Sequence, residues 1–367
     1  MNGARHPGLV FKLRPAGPWR IGPDSGARDS IDLIYHSDSL YSAVTGVMRL
    51  LGRLDEWLAA TARNPAGPAV RFSSLFPFQN EIGFVIPPRS VWPPPASTRV
   101  RWKGARFVPL GLVAPLLAGR APDEEQWDVD GPSECLVPAG RTGPFRSSVC
   151  SAAAVDRISG HVEPHSVACT EFSPGAGLWA VIAFADEQQR DRWSAPVQSA
   201  LRLLADSGFG GERARGWGRS ETPEFIEGWL PEMILPEPAA EPPAGAPELP
   251  APVAAETTGA ALASEPPAPA ETVSAYWLLS LFSPAPADAV DWNRGNYSIV
   301  TRAGRIDSPV HSGDLKKLVQ MVSEGSVLVA ANPVEGAAPD VAPDDFPHPV
   351  YRAGFALAIP IRWQAAS

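Results

Sequence analysis

The segment Asp206-Ser207-Gly208-Phe209-Gly210-Gly211-Glu212-Arg213-Ala214-Arg215-Gly216-Trp217-Gly218-Arg219 holds five glycines, three arginines and one tryptophan. It follows a helical pattern in which Val197, Leu201 and Leu204 share one face that stops at Gly208. A dinucleotide fingerprint needs a strand before its glycines and a helix after them, and here the helix comes first. No Gly-Lys-Ser or Gly-Lys-Thr occurs, which excludes a P-loop. Two readings of the segment stand. One is a helix C-cap leading into a hairpin. The other is a backbone cradle for a nucleic acid. Glycines reach φ > 0 and let a ligand approach closely, and successive N–H groups make an anion nest. Arg213, Arg215 and Arg219 supply guanidinium forks for phosphate. Trp217 either stacks on a base or wedges under the loop as a core residue. Glu212 is placed to anchor one of the arginines.

Upstream, Gly8–Leu13 and Leu178–Phe184 read as strands, the second of them buried. Between them a helix begins near Ser37 or Asp38, either of which can cap it. Its apolar positions Leu40, Val44, Val47, Met48 and Leu51 recur at helical spacing, and Gly52 can end it. Downstream, 276–282 and 297–302 read as strands, 315–322 as a short helix and 350–361 as a long final strand. The pattern lacks the regular strand–helix alternation of a doubly wound sheet. An α+β class follows, with antiparallel sheets in a ferredoxin-like (RRM-like) arrangement in each half.

The halves are set by composition. Residues 236–271 carry ten prolines and no aromatic residue, so they cannot bury enough apolar surface to offset ordering. An acidic, Pro/Ala/Glu-rich linker over 236–273 is expected between a domain at 1–235 and a second at 274–367. The net charge is −9, but residues 220–273 hold ten glutamates and no lysine or arginine. The remainder is near neutral, so a nucleic-acid partner requires a local basic patch. No run of about 18 apolar residues is present, and the N-terminus shows no signal-peptide pattern. Three cysteines cannot all pair, which fits a reducing cytoplasm.

Other motifs carry weaker readings. His36 precedes the first helix and can serve as a general acid or base, or simply as a neighbour of the cap; Asp38 reads as a cap. His161-Val162-Glu163-Pro164-His165, flanked by Cys150 and Cys169, admits a mixed zinc site, but Pro164 would break the helix that aims both rings at one ion. An ordinary polar loop is the simpler reading, and no metal or cofactor is assigned. Asp156 and Arg157 pair with each other, or Arg157 reaches RNA. The segment 97–108 interleaves Arg99, Arg101, Lys103 and Arg106 with Trp102 and Phe107, which suits RNA or a solvated hairpin equally.

The stretch LLADSGFGGERARGWGR at 203–219 resembles the signature of the RAMP superfamily of CRISPR proteins. Four further pieces resemble the fourth subunit of the Csm complex, the type III-A CRISPR effector: GPWRIGPDSG at 17–26, HSDSLYSAVTGVM at 36–48, FSSLFPF at 72–78 and HPVYRAGFALAI at 348–359. VDRISG at 155–160 and YSIVTRAGRI at 297–306 are similar to it as well. The long insert and the two cysteines around HVEPH depart from that pattern. The resemblance implies two RRM-like folds in a non-catalytic, cytoplasmic ribonucleoprotein subunit. It implies that the subunit caps the 5′ end of the complex and grips the 5′ handle of the guide RNA. It implies contact with a large polymerase/cyclase-like subunit and with the backbone RAMP subunit, and none with a membrane. The expected RNA-contacting set is Arg20, His36, Arg157, Gly208, Gly210, Gly211, Arg213, Arg215, Gly216, Trp217, Gly218 and Arg219. Two competing functions are a metal-independent RNA-processing endonuclease with His36 as its acid or base, and a protein-interaction module with no RNA role.

Overall fold

The computed structural model describes residues 5–23, 26–94, 102–236, 274–308, 310 and 312–363. Most of the expected linker, and Arg99 and Arg101 of the basic segment, lie outside the described residues. The chain is α+β, with several antiparallel sheets and few helices.

In the first half, β1 (His6–Leu13) leads to α1 (Ser37–Leu50) and α2 (Leu54–Ala60). Then come β2 (Val70–Phe72), β3 (Phe76–Gln79), β4 (Ile82–Val85), β5 (Val108–Pro109), α3 (Val113–Leu117), β6 (Trp127–Asp130) and β7 (Cys135–Pro138). A long hairpin, β8 (Phe145–Val155) and β9 (Val162–Phe172), precedes β10 (Ala176–Phe184), α4 (Glu187–Ser207) and β11 (Glu224–Leu230). The main sheet runs β11-β1-β10-β3-β4-β5, with β2 also on β10. As expected, Gly52 follows α1 with φ +70° and Gly208 stops α4 with φ +98°.

The central strand β10 is buried on both faces, and its period-2 alternation feeds two cores. Leu178, Ala180, Ile182 and Phe184 join Leu40, Val44, Trp57, Trp193 and Leu201 beneath α1 and α4. Trp179, Val181 and Ala183 point the other way, into a second core that contains Trp277, Val327 and Ile359 from the second half. That shared core packs the two sheets together. Trp102 and Phe107 are fully buried there too, so these aromatics of the basic segment serve packing rather than base stacking.

In the second half, β12 (Ser274–Leu278), β13 (Val290–Asn296), β14 (Ile299–Arg302), β15 (Arg305–Asp307), β16 (Ser312–Leu315) and β17 (Val319–Val322) are followed by β18 (Val327–Ala330), β19 (Gly336–Ala337), β20 (Gly354–Phe355) and β21 (Ala358–Arg362). The sheet order is β13-β18-β12-β21. The last strand therefore lies beside the first, and the first beside the third, as in the succession β11-β1-β10-β3 of the first sheet. Among the described residues of this half there is no helix. The helix expected over 315–322 is instead the end of β16, a loop and β17. Leu315 and Leu318 are exposed, so no apolar helical face exists to be buried, and Val319–Val322 pairs with β14. The long final strand is two strands, because Gly354 crosses close over Ser283 and Tyr351 pairs separately with Asp340. Among the described residues, no helix is long and apolar enough to cross a membrane.

Candidate nucleic-acid interface

The helix α4 opens on Asp186, whose carboxylate accepts the Gln189 N–H at 2.7 Å. Its buried face, Trp193, Val197, Ala200, Leu201 and Leu204, fixes where Gly208 emerges. Phe209 then turns inward and stacks on Trp19 at 5.2 Å, with its edge contact to Tyr35 at 5.9 Å. The loop backbone is bonded on all sides. Phe209 N–H donates to Gly218 O at 3.0 Å, Gly211 N–H to Arg20 O at 2.9 Å, and Gly218 N–H to Pro18 O at 3.0 Å.

These contacts explain the glycines. A Cβ on Gly218 would lie 2.0 Å from Phe209 O, and one on Gly210 would lie 2.3 Å from Arg20 O. The close approach that demands glycine is thus to the chain itself. Gly216 is different: its φ of +81° needs glycine, but a Cβ there meets nothing within 4 Å. The N–H groups of Phe209, Gly211 and Gly218 are taken internally, so the cradle offers an anion its side chains more than its amides.

Arg213, Arg215 and Arg219 stand exposed on this pinned loop. Arg213 and Arg215 sit on a 3-10 turn that starts from Glu212 in the left-handed region. Glu212 anchors Arg215 at 3.2 Å, as the sequence suggests, and Arg215 also lies 3.1 Å from His165 Nε2 on β9. Arg213 comes within 4.0 Å of Asp307 on β15. The loop therefore lies between the β8–β9 hairpin and the second half. Trp217 is half-buried. Arg157 is exposed at the hairpin tip, where Asp156 closes the turn by accepting from Ile158 N–H and Ser159 rather than by pairing with Arg157.

Two of the expected contacts are buried side chains with partners inside the protein. Arg20 is buried, and its guanidinium donates to the carbonyls of Ala27, Arg28, Ser30 and Ala168 at 2.5, 3.2, 3.5 and 2.8 Å. It clamps the 18–31 loop to β9. His36 is also buried, with Nδ1 2.7 Å from Glu324 and Nε2 3.1 Å from Asp32. Burial alone would lower its pKa, but the Glu324 charge and the bonds to both carboxylates raise it to about 10. It is a charged tie between the halves, not an acid–base group facing solvent.

Asp38 is likewise no cap. It holds Arg302 in two hydrogen bonds of 3.1 and 3.2 Å and also accepts from Arg352, all three residues being buried. Against the opposing effect of burial, the two guanidinium groups bring its pKa down to about 2. The HSD, VTRAG and VYRAG segments thus converge on one buried charged seam. Arg302 and Arg352 lie in segments that carried a resemblance and Glu324 does not, and nothing local named the partners of any of the three.

Three comparisons bear on identity. No curated protein matches the chain. The chain of a solved structure titled "Crystal structure of Csm3-Csm4 subcomplex in the type III-A CRISPR-Cas interference complex" superposes with a TM-score of 0.57 at 15% identity, covering 96% of this chain and 99% of that one. Chains from Csm1-Csm4 cassettes, solved in complex with pppApA and with cA4, give TM-scores of 0.52 and 0.53 at 15% identity, covering 98% of this chain and 100% of theirs. The fold is therefore one found in subunits of type III-A CRISPR assemblies. Residues 271–361 match the family model described as the CRISPR Csm4 C-terminal domain.

Proposed function

We propose that this chain is a non-catalytic subunit at the 5′ end of a type III-A ribonucleoprotein, in the cytoplasm of a prokaryote, and that it grips the single-stranded handle of the guide RNA. The observation that carries the reading is the display of Arg213, Arg215 and Arg219 on a loop whose backbone is bonded into the core on both sides. A fixed scaffold holds guanidinium groups where phosphates can meet them without a backbone ordering cost at binding. Trp217, half-buried beside them, offers part of its face to a base. The shared strand order of the two sheets supports reading both as RRM-like units, the second with hairpins where the first has helices.

The related chains were solved with Csm3 and with Csm1. By that likeness this chain bridges a backbone subunit and the large subunit. The scaffold reading is favoured over the endonuclease alternative because both nitrogens of His36, the acid or base that alternative names, are bonded to carboxylates inside the protein. Incubating the purified chain with end-labelled repeat RNA tests the proposal. Retention of intact RNA in a stable complex is expected. Specific cleavage, or assembly with partner subunits that is indifferent to the presence of RNA, would contradict it.

A further inference from the structure

The β8–β9 hairpin holds a group of donor atoms that the RNA reading does not use. Its eleven-residue strands pair in one register throughout, from Phe145↔Phe172 to Val155↔Val162. Cross-strand partners point to the same face, so Cys150, opposite Val167, shares a face with Cys169 and Glu171. The two Sγ atoms lie 3.6 Å apart. With a carboxylate oxygen of Glu171, the three donors fall within 4.8 Å of one another.

The register decides between a disulfide and a metal. Cys150 and Cys169 are diagonal neighbours, and diagonal backbone positions sit roughly 7–8 Å apart. Disulfides seldom span more than about 6.8 Å between Cα atoms. Two thiolates on one tetrahedral zinc ion, each at about 2.3 Å, stand roughly 3.8 Å apart. The observed sulfur separation is near the second arrangement and reached without moving the ladder. Charge agrees. Two thiolates and a carboxylate carry three negative charges, and a divalent cation leaves one. Arg146 donates to Glu171 Oε2 at 2.9 and 3.1 Å. A ligand carboxylate held by such a donor is oriented for coordination.

We propose that Cys150, Cys169 and Glu171 bind a thiophilic d10 divalent cation of the zinc class, with water in the fourth tetrahedral position. The histidines of HVEPH take no part: His165 is engaged by Arg215, and His161 lies near the hairpin tip. The ion would staple β8 to β9 beside the loop that Arg20 clamps, where Trp19 N–H bonds Thr170 O and Ala168 N–H bonds Arg28 O.

Titration of the full chain, reduced and freed of metal with a chelator, with Co2+ as a spectroscopic stand-in tests the site. One equivalent should produce a near-ultraviolet thiolate-to-cobalt band and visible d–d bands. The band should vanish in C150S and in C169S, and E171Q should bind roughly tenfold more weakly, on the scale of perturbed metal shells. Cys150 is only half-buried, so C150S carries the test if C169S misfolds. No band at excess Co2+, or a band that survives in the C150S/C169S double variant, would overturn the site. So would ready conversion of the two thiols to a disulfide, seen as a mass loss of two hydrogens, in a protein that binds Co2+ no better than C150S.

Discussion

His36 Nδ1 lies 2.7 Å from a carboxylate oxygen of Glu324, a residue 288 positions away in the chain. With Asp32 on the other ring nitrogen, the imidazolium is enclosed by carboxylates on two sides. The tie joins the start of α1 to the turn between β17 and β18, and so one sheet to the other.

This arrangement makes stability depend on pH in a definite direction. The folded pKa of His36, at about 10, lies above its ordinary value of 6.5. Its contribution is therefore fully present below 6.5 and lost as pH rises through 10. Asp32 and Glu324 are shifted down, Asp32 to about 2, so theirs is present above the ordinary carboxylate range and lost in acid. Urea midpoints should fall steadily between pH 7 and 10 in the wild type. In His36→Gln that alkaline slope should be shallower.

Asp38 separates two readings by magnitude. Loss of a helix cap costs about 1 kcal/mol. Stripping the shared partner from two buried arginines costs about 3–5 kcal/mol. Asp38→Ala is expected to destabilise the chain by the larger amount in denaturant melts, as Arg302 and Arg352 are left without their carboxylate.

Among the loop glycines, Gly218→Ala should be far worse than Gly216→Ala. Both have positive φ, which costs an L-residue roughly 1–2 kcal/mol. Only the first also drives a Cβ into Phe209 O. Thermal melts of the two variants should differ by several degrees, with Gly216→Ala lowered only by the cost of its positive φ.

Arg20 and Arg213 should behave oppositely. Arg20→Met removes a clamp on four carbonyls and should lower the melting temperature. Arg213→Ala, on an exposed side chain, should leave stability within about 0.5 kcal/mol and weaken RNA binding. Parallel melting and RNA-binding measurements on the two variants check this crossing.

What could be read in the sequence was local. The stop at Gly208, the doubly buried β10 and the outward arginines each follow from a short window. The 315–322 helix was misread because Leu315 and Leu318 mimic an apolar face while remaining exposed. Arg20 looked like a phosphate ligand because nothing nearby in sequence shows the Ala168 carbonyl, 148 residues on, that receives it. The charged seam was invisible for the same reason: Asp38 meets its arginines across 264 and 314 residues. The glycines were recognised as necessary, but most are required by the loop's own backbone rather than by a ligand.

The salt dependence of binding to a single-stranded handle RNA tests the role of the loop most directly. Each phosphate contact on a single strand contributes about 0.7 to the slope of log affinity against log salt. The triple variant R213A/R215A/R219A should show a slope shallower by about 2, with affinity reduced at low salt and an unchanged melt. Superimposable salt plots for the wild type and the triple variant would contradict the account.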